Sequence, residues 1–491
     1  MSAFSSKWGF PVACQLSGDM ELRVKLACRR VHDSELYSPD KIYLRNNDAW
    51  PGDFAGRTLL AWHKYSSILQ KNDPELEKAL SLYNDFCNRR GFLGAIHPED
   101  MFDEQQLSGH GWLLRAMAEI YTKTACGICR TVAVNVFENL ALPLAKHLAT
   151  YPLSDSVRNA SGAVDGTADR RIGVWRVSTD VGAIFIFFAG LVHAAEVFEL
   201  PAEKLLEQFV SLAGKVDFVQ NKYQTHASLT LCRALLRYSR VFNRPEAGKL
   251  AEKIFGLYCD NGMTLNGANY NWFCRPEWTE PCAVVDGFMV AMELFRRSGK
   301  SDYLALAHKI WFSAIERAQR PNGGFGGDNC LRPEEPELYM KFYEAVNCCN
   351  MRAAEGFYTA VMQGIYWQDN VLHIALPIPG TFEFADGLVV KVETTYPYGD
   401  IWNAEIIAHG SKIPEKICCF MSGCSWMEKS GERAEFELEK HFLSDQKSFI
   451  YQRGPLMYGQ DASGAMQPVN NLCYMTDEEV GNYKLQMIFE K

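Results

Sequence analysis

Two short segments carry side chains of the kind that hold a soft metal. Trp278-Thr279-Glu280-Pro281-Cys282 offers a carboxylate and a thiol two positions apart. Asn347-Cys348-Cys349-Asn350 offers two adjacent thiols, 66 positions after Cys282. One glutamate and three cysteines complete a tetrahedral zinc set. Zinc keeps bound thiols deprotonated at neutral pH, and the thiolate is the nucleophilic form of cysteine. The set therefore suits either a structural Zn2+ or a zinc-poised cysteine nucleophile, and spacing alone favours the structural or accidental reading. Trp272 and Trp278 flank the first segment, and Tyr339 and Tyr343 precede the second. Such rings serve as platforms for a ligand or as core.

These segments must be held by helices. Leu76, Leu80, Tyr83 and Cys87 recur at helical spacing, as do Leu229, Cys232 and Leu236, then Phe288, Met292 and Phe295, then Leu304, Ala307, Trp311 and Ala314. Asn72-Asp73-Pro74, Gly91, Ser298-Gly299 and Pro321-Asn322-Gly323-Gly324 break the runs. Pro281 stiffens the chain just before a helix expected near Ala283, and the cysteine pair precedes another. Many helices joined by short links suggest stacked helical hairpins closing into an α/α toroid. The texture changes near Trp367. Leu372, Ile374 and Leu376 alternate with other residues, as do Val390 and Val392, and Ala434, Phe436 and Leu438. This period of two, with turns at Ile378-Pro379-Gly380 and Lys429-Ser430-Gly431, reads as strands. The expected organisation is mainly α: an (α/α)6 barrel over residues 1–365, then a C-terminal β-sandwich over 366–491. No low-complexity linker separates them, so the two should pack together.

Composition narrows the function classes. The chain has 491 residues, a net charge of −9 and 16 cysteines. No long Lys/Arg block accompanies the acidic balance, which argues against nucleic-acid and anionic-membrane partners. The most apolar run, Val181–Val192, is too short for a membrane span, which needs about 20 residues. Met1–Gly18 lacks a signal-peptide pattern, so a cytoplasmic protein with reduced thiols is expected. Most of the thiols should then be small core hydrophobes. Cys126-Gly-Ile-Cys129 and Cys418-Cys419 read that way.

Ordered motifs add a resemblance. Pro51-Gly-Asp-Phe-Ala-Gly-Arg57, Gly91-Phe-Leu-Gly94, Gly109-His110, Thr225-His226-Ala227, Glu280-Pro-Cys282, Cys348-Cys349, Glu393-Thr-Thr-Tyr-Pro397 and Arg453-Gly-Pro-Leu-Met-Tyr458 occur in one order along the chain. In that order they resemble the β-L-arabinofuranosidase-like glycoside hydrolases, a family of α/α barrels with β-sandwiches. The resemblance implies a retaining glycosidase acting on a glycoside or oligosaccharide, with Zn2+ held by Glu280, Cys282, Cys348 and Cys349. It makes Cys348 the nucleophile, and His110 and His226 ligands of sugar hydroxyls. Trp272 and Tyr343 join them as substrate-contact candidates. Two departures stand out. Val346 replaces a cysteine that family members carry two positions before the pair, although Cys330 could approach instead. The stretch Gly262–Trp272, where the family places its acid/base glutamate, contains no Asp or Glu. Glu277 is the nearest carboxylate upstream of Glu280 and takes the acid/base role by expectation, with Asp328, Glu344 and Glu355 as other candidates. The loss of that glutamate keeps a second reading open, a non-catalytic carbohydrate-binding or scaffold protein with a structural zinc. A third is a different sugar-active α/α-barrel enzyme, such as an epimerase or lyase. The sequence leaves room for a homodimer.

Overall fold

The computed structural model describes residues 8–45, 47–154, 170–275, 279–327, 344–398, 401–410, 412–421, 426–439, 445–447, 450–460 and 466–468. Twelve helices of ten residues or more occur among them. They are α1 (Gly18–His32), α2 (Asp53–Leu69), α3 (Pro74–Phe86), α4 (Glu104–Thr124), α5 (Gly127–Val136) and α6 (Ile184–Phe198). The others are α7 (Glu203–Ala213), α8 (Thr225–Val241), α9 (Pro245–Asn261), α10 (Pro281–Ser298), α11 (Ser301–Ile310) and α12 (Cys349–Gln363).

The even-numbered helices form a closed ring. α2 packs on α4, α4 on α6, α6 on α8, α8 on α10, α10 on α12, and α12 returns to α2. The odd-numbered helices lie outside it, which makes an (α/α)6 barrel. Burial follows this division. Outer α3 buries Leu76, Ala79, Leu80 and Tyr83 and leaves its other face wet, as its periodicity predicts. Inner α6 has nearly every side chain buried, which is why Val181–Val192 reads as one unbroken apolar run. Local signals set the ends. Asp73 caps α3 ahead of Pro74, Asp103 accepts the Gln105 and Gln106 amides at the start of α4, and left-handed Gly299 closes α10.

Three inner helices approach backbone to backbone. A Cβ on Gly111 would lie 2.2 Å from the Ile186 carbonyl oxygen, and one on Gly190 would lie 2.2 Å from the Gly111 carbonyl oxygen. Gly56 on α2 meets Leu113 of α4 equally closely. Gly111→Ala should therefore lower stability by about 1–3 kcal/mol through overpacking, read as a lower urea midpoint with unchanged slope. An unchanged midpoint would show that the crossing can open without cost.

Three short strands, Phe102–Asp103, Arg170–Ile172 and Trp175–Val177, form a small sheet within the helical part, and the strands of the β part begin at Ile365, directly after α12. In chain order they are β2 (Ile365–Gln368), β3 (Val371–Ile374), β4 (Gly380–Phe384), β5 (Leu388–Thr394), β6 (Ile401–Gly410), β7 (Lys416–Cys419), β8 (Met427–Ser430) and β9 (Arg433–Glu439). Then follow β10 (Asp445–Lys447), β11 (Ile450–Arg453), β12 (Leu456–Gln460) and β13 (Met466–Pro468). One more strand, β1 (Pro11–Leu16), comes from the N-terminus and pairs antiparallel with β4. The sheets of the β part run β1-β4-β5-β6-β9, β8-β7-β3-β2 and β10-β11-β12-β13. Alternation is regular: Val390 and Val392 are buried while Lys391 and Glu393 are exposed. The β part packs on the barrel through specific bonds. His308 Nδ1 meets the Tyr396 hydroxyl at 2.7 Å, and the Ser313 hydroxyl donates to the Pro455 carbonyl at 2.6 Å. Among the described residues no helix is long and apolar enough to cross a membrane.

Candidate metal centre

Helix starts position the donors. Pro281 opens α10, with Glu280 as its extended N-cap residue and Cys282 in its first turn. The Glu280 amide donates to Asn269 Oδ1 at 2.8 Å, which pins the loop. Cys348 is the N-cap residue of α12 and Cys349 its first residue. Asn350 holds that start. Its Oδ1 accepts the Phe325 amide at 2.6 Å, and its Nδ2 donates to Tyr37 at 3.1 Å and Glu344 at 2.6 Å.

Closure of the barrel brings the two starts together. The donor atoms of Glu280, Cys282, Cys348 and Cys349 all lie within 4.8 Å of one another. Cys349 Sγ is 3.5 Å from both Cys282 Sγ and Cys348 Sγ. A tetrahedral ion with metal–sulfur bonds of about 2.3 Å separates its sulfurs by about 3.8 Å, so these side chains fit a zinc-sized ion with little adjustment. Cys282 and Cys349 are buried and Cys348 is partly exposed.

Electrostatics point the same way. Burial pushes Cys282, Cys349 and Glu280 well above their ordinary ranges. The Cys348 thiol is held well below its ordinary range, because Cys282 and Cys349 hydrogen-bond to it and because Arg57 and His226 lie near. Four acidic groups this close cannot all ionise without a cation among them. Arg57 supplies part of that charge. Its Nη1 is 3.6 Å from Cys282 Sγ, its Nε donates to Asp53 at 2.7 Å, and its guanidinium lies 3.9 Å from the Trp112 ring centroid.

Behind the donors a column of charge fills the barrel axis. His226, at the start of α8, has Nδ1 3.6 Å from Glu280 and Nε2 3.4 Å from Asp286. Burial pushes this imidazole down to about 3, so it is neutral, and its Nε2 makes no hydrogen bond. Asp286 takes hydrogen bonds from Thr230 at 2.9 Å and Arg233 at 2.8 Å, and pairs with Arg352. Glu355 pairs with Arg115, Arg233 and Arg352. Despite burial, these guanidiniums hold Asp286 and Glu355 below the usual carboxylate range.

The expected site residues divide. Glu280, Cys282, Cys348, Cys349 and His226 come together. His110 does not offer a free nitrogen. Its Nδ1 is 2.7 Å from the Gln106 carbonyl and its Nε2 accepts the Leu93 amide at 3.1 Å. A carbonyl can only accept and an amide can only donate, so the ring is a neutral Nδ1–H tautomer with both positions used. Trp272 is fully buried, with Arg275 over its ring at 4.6 Å. Glu344 is tied to Arg30, Asn322 and Asn350, and Glu355 lies in the buried column. Glu277, Trp278, Asp328, Cys330, Tyr339 and Tyr343 lie outside the described residues.

Sequence reasoning missed five contributors. Asp286 follows Cys282 by four positions and Arg352 follows Cys348 by four, so each shares a helix face with a donor. Asp53 and Arg57 form a third such pair. That spacing was the available signal. Asp180 is the fifth. Its carboxylate adds to the charge that pushes Glu280 up, and its loop is pinned by buried Glu104, which accepts the Ser178 and Ile184 amides at 2.8 and 3.2 Å.

No protein-family model matches the chain, and no curated protein matches it either. Solved structures do. The chain is similar to a glycoside hydrolase at 13% identity, covering 94% of this chain and 85% of that one, with a TM-score of 0.64. It is also similar to a GH127 beta-L-arabinofuranosidase from Geobacillus stearothermophilus at 12% identity, with coverages of 92% and 86% and a TM-score of 0.62. A second GH127 beta-arabinofuranosidase gives 10% identity, coverages of 94% and 87%, and a TM-score of 0.59. At such identities the likeness is one of fold, and it spans both the helical barrel and the β-rich part.

Proposed function

We propose that this chain is a zinc-dependent retaining glycosidase with Cys348 as nucleophile, acting on a furanoside of the β-L-arabinofuranoside kind. The observation that carries the reading is the Glu280/Cys282/Cys348/Cys349 cluster at the mouth of an (α/α)6 barrel. The fold likeness to GH127 enzymes supports it. Glu280, Cys282 and Cys349 would hold the metal with Cys348, and the metal would keep the Cys348 sulfur deprotonated and oriented.

The chain's own residues carry the remaining work. Cys348 is the least covered of the three thiols, so its sulfur is the one a sugar carbon can approach. Attack forms a carbon–sulfur bond as the glycosidic bond breaks, and a carboxylic acid protonates the departing oxygen. Water then displaces the sulfur with the same carboxylate acting as base. Glu277 is proposed for that role from its place in the sequence before Glu280, and Asp180, whose charge acts on Glu280, is another carboxylate near the cluster. His226, neutral and with a free Nε2, is suited to orient Glu280 rather than to carry charge. Arg57 offsets the negative charge of the thiolate cluster.

Metal analysis tests the centre. The purified protein should carry one zinc per chain, and Cys282→Ala should lose it while the helical circular dichroism persists. A metal-free wild-type protein that still hydrolyses aryl furanosides at full rate would end the proposal. Turnover abolished by a chelator without unfolding would end the competing reading of a non-catalytic scaffold.

A further inference from the structure

The C-terminal halves of the inner helices enclose a second cavity of about 420 Å³, at the barrel end away from the metal donors. Pockets of this size take small ligands. Its cationic lining is Lys64 from α2, Arg233, Arg237 and Arg240 from α8, and Arg296 from α10. Its anionic lining is Glu119, Glu293 and Glu355. Five cations face three carboxylates, which leaves a surplus of two positive charges. Beyond the lining, the outer carboxylate Glu196 pairs with Arg237 and Arg240 at 2.5 and 2.9 Å, and Arg115 on the axis side pairs with Glu355, so counting both leaves the surplus unchanged. The local field registers the excess. Burial opposes ionisation of Glu119, Glu293 and Glu355, yet neighbouring cations, led by Lys64, Arg296 and Arg115, hold all three below the usual carboxylate range.

Two donors in this wall are buried and unspent. Thr359 is 1% exposed and its hydroxyl has no hydrogen-bond partner. Arg296 uses its two Nη groups on Gln363 and Glu293, at 2.6 Å each, and leaves Nε unpaired. Cations at helix C-termini offset the partial negative charge of the last carbonyls, but that role requires neither a cavity nor unpaired donors in its wall. Guanidiniums gathered around an open space suit an oxyanion that accepts several N–H bonds at once.

The geometry points to a second binding pocket, for a phosphate group carrying two negative charges, at the barrel mouth opposite the metal centre. The phosphate would be free or part of a small monoester. The pocket is independent of the chemistry proposed at Cys348.

Calorimetric titration of the full-length protein with inorganic phosphate, at ionic strength held constant with chloride, tests it. One saturable site per chain is expected. Arg240→Gln, Arg296→Gln and Thr359→Val should each weaken it, the two arginine variants by about tenfold or more, as loss of a charge-assisted hydrogen bond implies. Cys282→Ala should bind phosphate as the wild type does, because its lesion lies at the other mouth. Absence of saturable binding would overturn the proposal, as would equal affinity in all three pocket variants. Lower melting temperatures with unchanged phosphate affinity would assign the arginines to the helix ends alone and would also overturn it. Loss of phosphate binding in Cys282→Ala would move the anion to the metal centre and count equally against it.

Discussion

Cys348→Ser is expected to lower kcat/KM on an aryl β-L-arabinofuranoside by about 10³-fold or more, the scale on which removal of a nucleophile acts. The argument is geometric. Three thiols lie in one cluster, two of them buried and one at the mouth. The thiol at the mouth is also the one whose neighbours favour the thiolate, through the hydrogen bonds from Cys282 and Cys349 and the charge of Arg57. A serine hydroxyl at this position keeps the shape but titrates far above neutral pH. Cys349→Ser supplies the comparison. It should lose metal and activity together, whereas Cys348→Ser should lose activity by a larger factor than it loses zinc. Rapid-quench mass analysis should find a glycosyl adduct on the wild-type chain and none on Cys348→Ser. Wild-type rates in Cys348→Ser would remove this sulfur from the mechanism.

Arg352→Met should produce the largest loss of stability, about 3–5 kcal/mol, because it leaves buried carboxylates short of a partner. Arg352 is 1% exposed, Asp286 0% and Glu355 5%. Methionine fills the volume of the stem but offers Asp286 and Glu355 nothing. Arg115 remains on Glu355 and Arg233 on both carboxylates, but each acts from a fixed helix. The double variant Arg352→Met/Glu355→Gln should lose less than the sum of its single changes, since a neutral partner no longer needs the guanidinium. Arg244→Met, which breaks exposed pairs with Glu203 and Glu207, should cost less than about 1 kcal/mol. Urea denaturation reads all four proteins. A loss in Arg352→Met no larger than in Arg244→Met would mean that water reaches the axis.

These residues also mark what the sequence could and could not reveal. The metal donors were legible because cysteine and glutamate at two proline- and asparagine-marked helix starts carry their chemistry in their types. The barrel was legible because outer helices such as α3 keep one wet face. Even the almost entirely buried α6 announced itself as an unbroken apolar run. Asp286 and Arg352 were not legible. A charged residue in mid-helix is ordinarily solvated, and only ring closure turns both toward one axis. His110 misled for the opposite reason. Its placement in a glycine-bearing helix start suits a ligand, but two backbone groups claim its nitrogens, and a pattern of residue types carries no record of such bonds. The strand β1 was missed because a single strand among helices has no local partner; β4 lies more than 360 positions away.

That distant pairing orders events during synthesis. Pro11–Leu16 leaves the ribosome long before its partner strand, Gly380–Phe384, is made. At 5–20 residues per second, the edge stays open for roughly 20–70 s. The helical ring cannot close earlier than its last member, α12, which precedes β2 by a single residue. Barrel closure and sheet completion therefore fall almost together. The strand β1 acts as a latch joining residues made before the barrel to the sheet made after it. A chain cut just after α12 would display an unpaired strand, the kind of edge along which proteins aggregate.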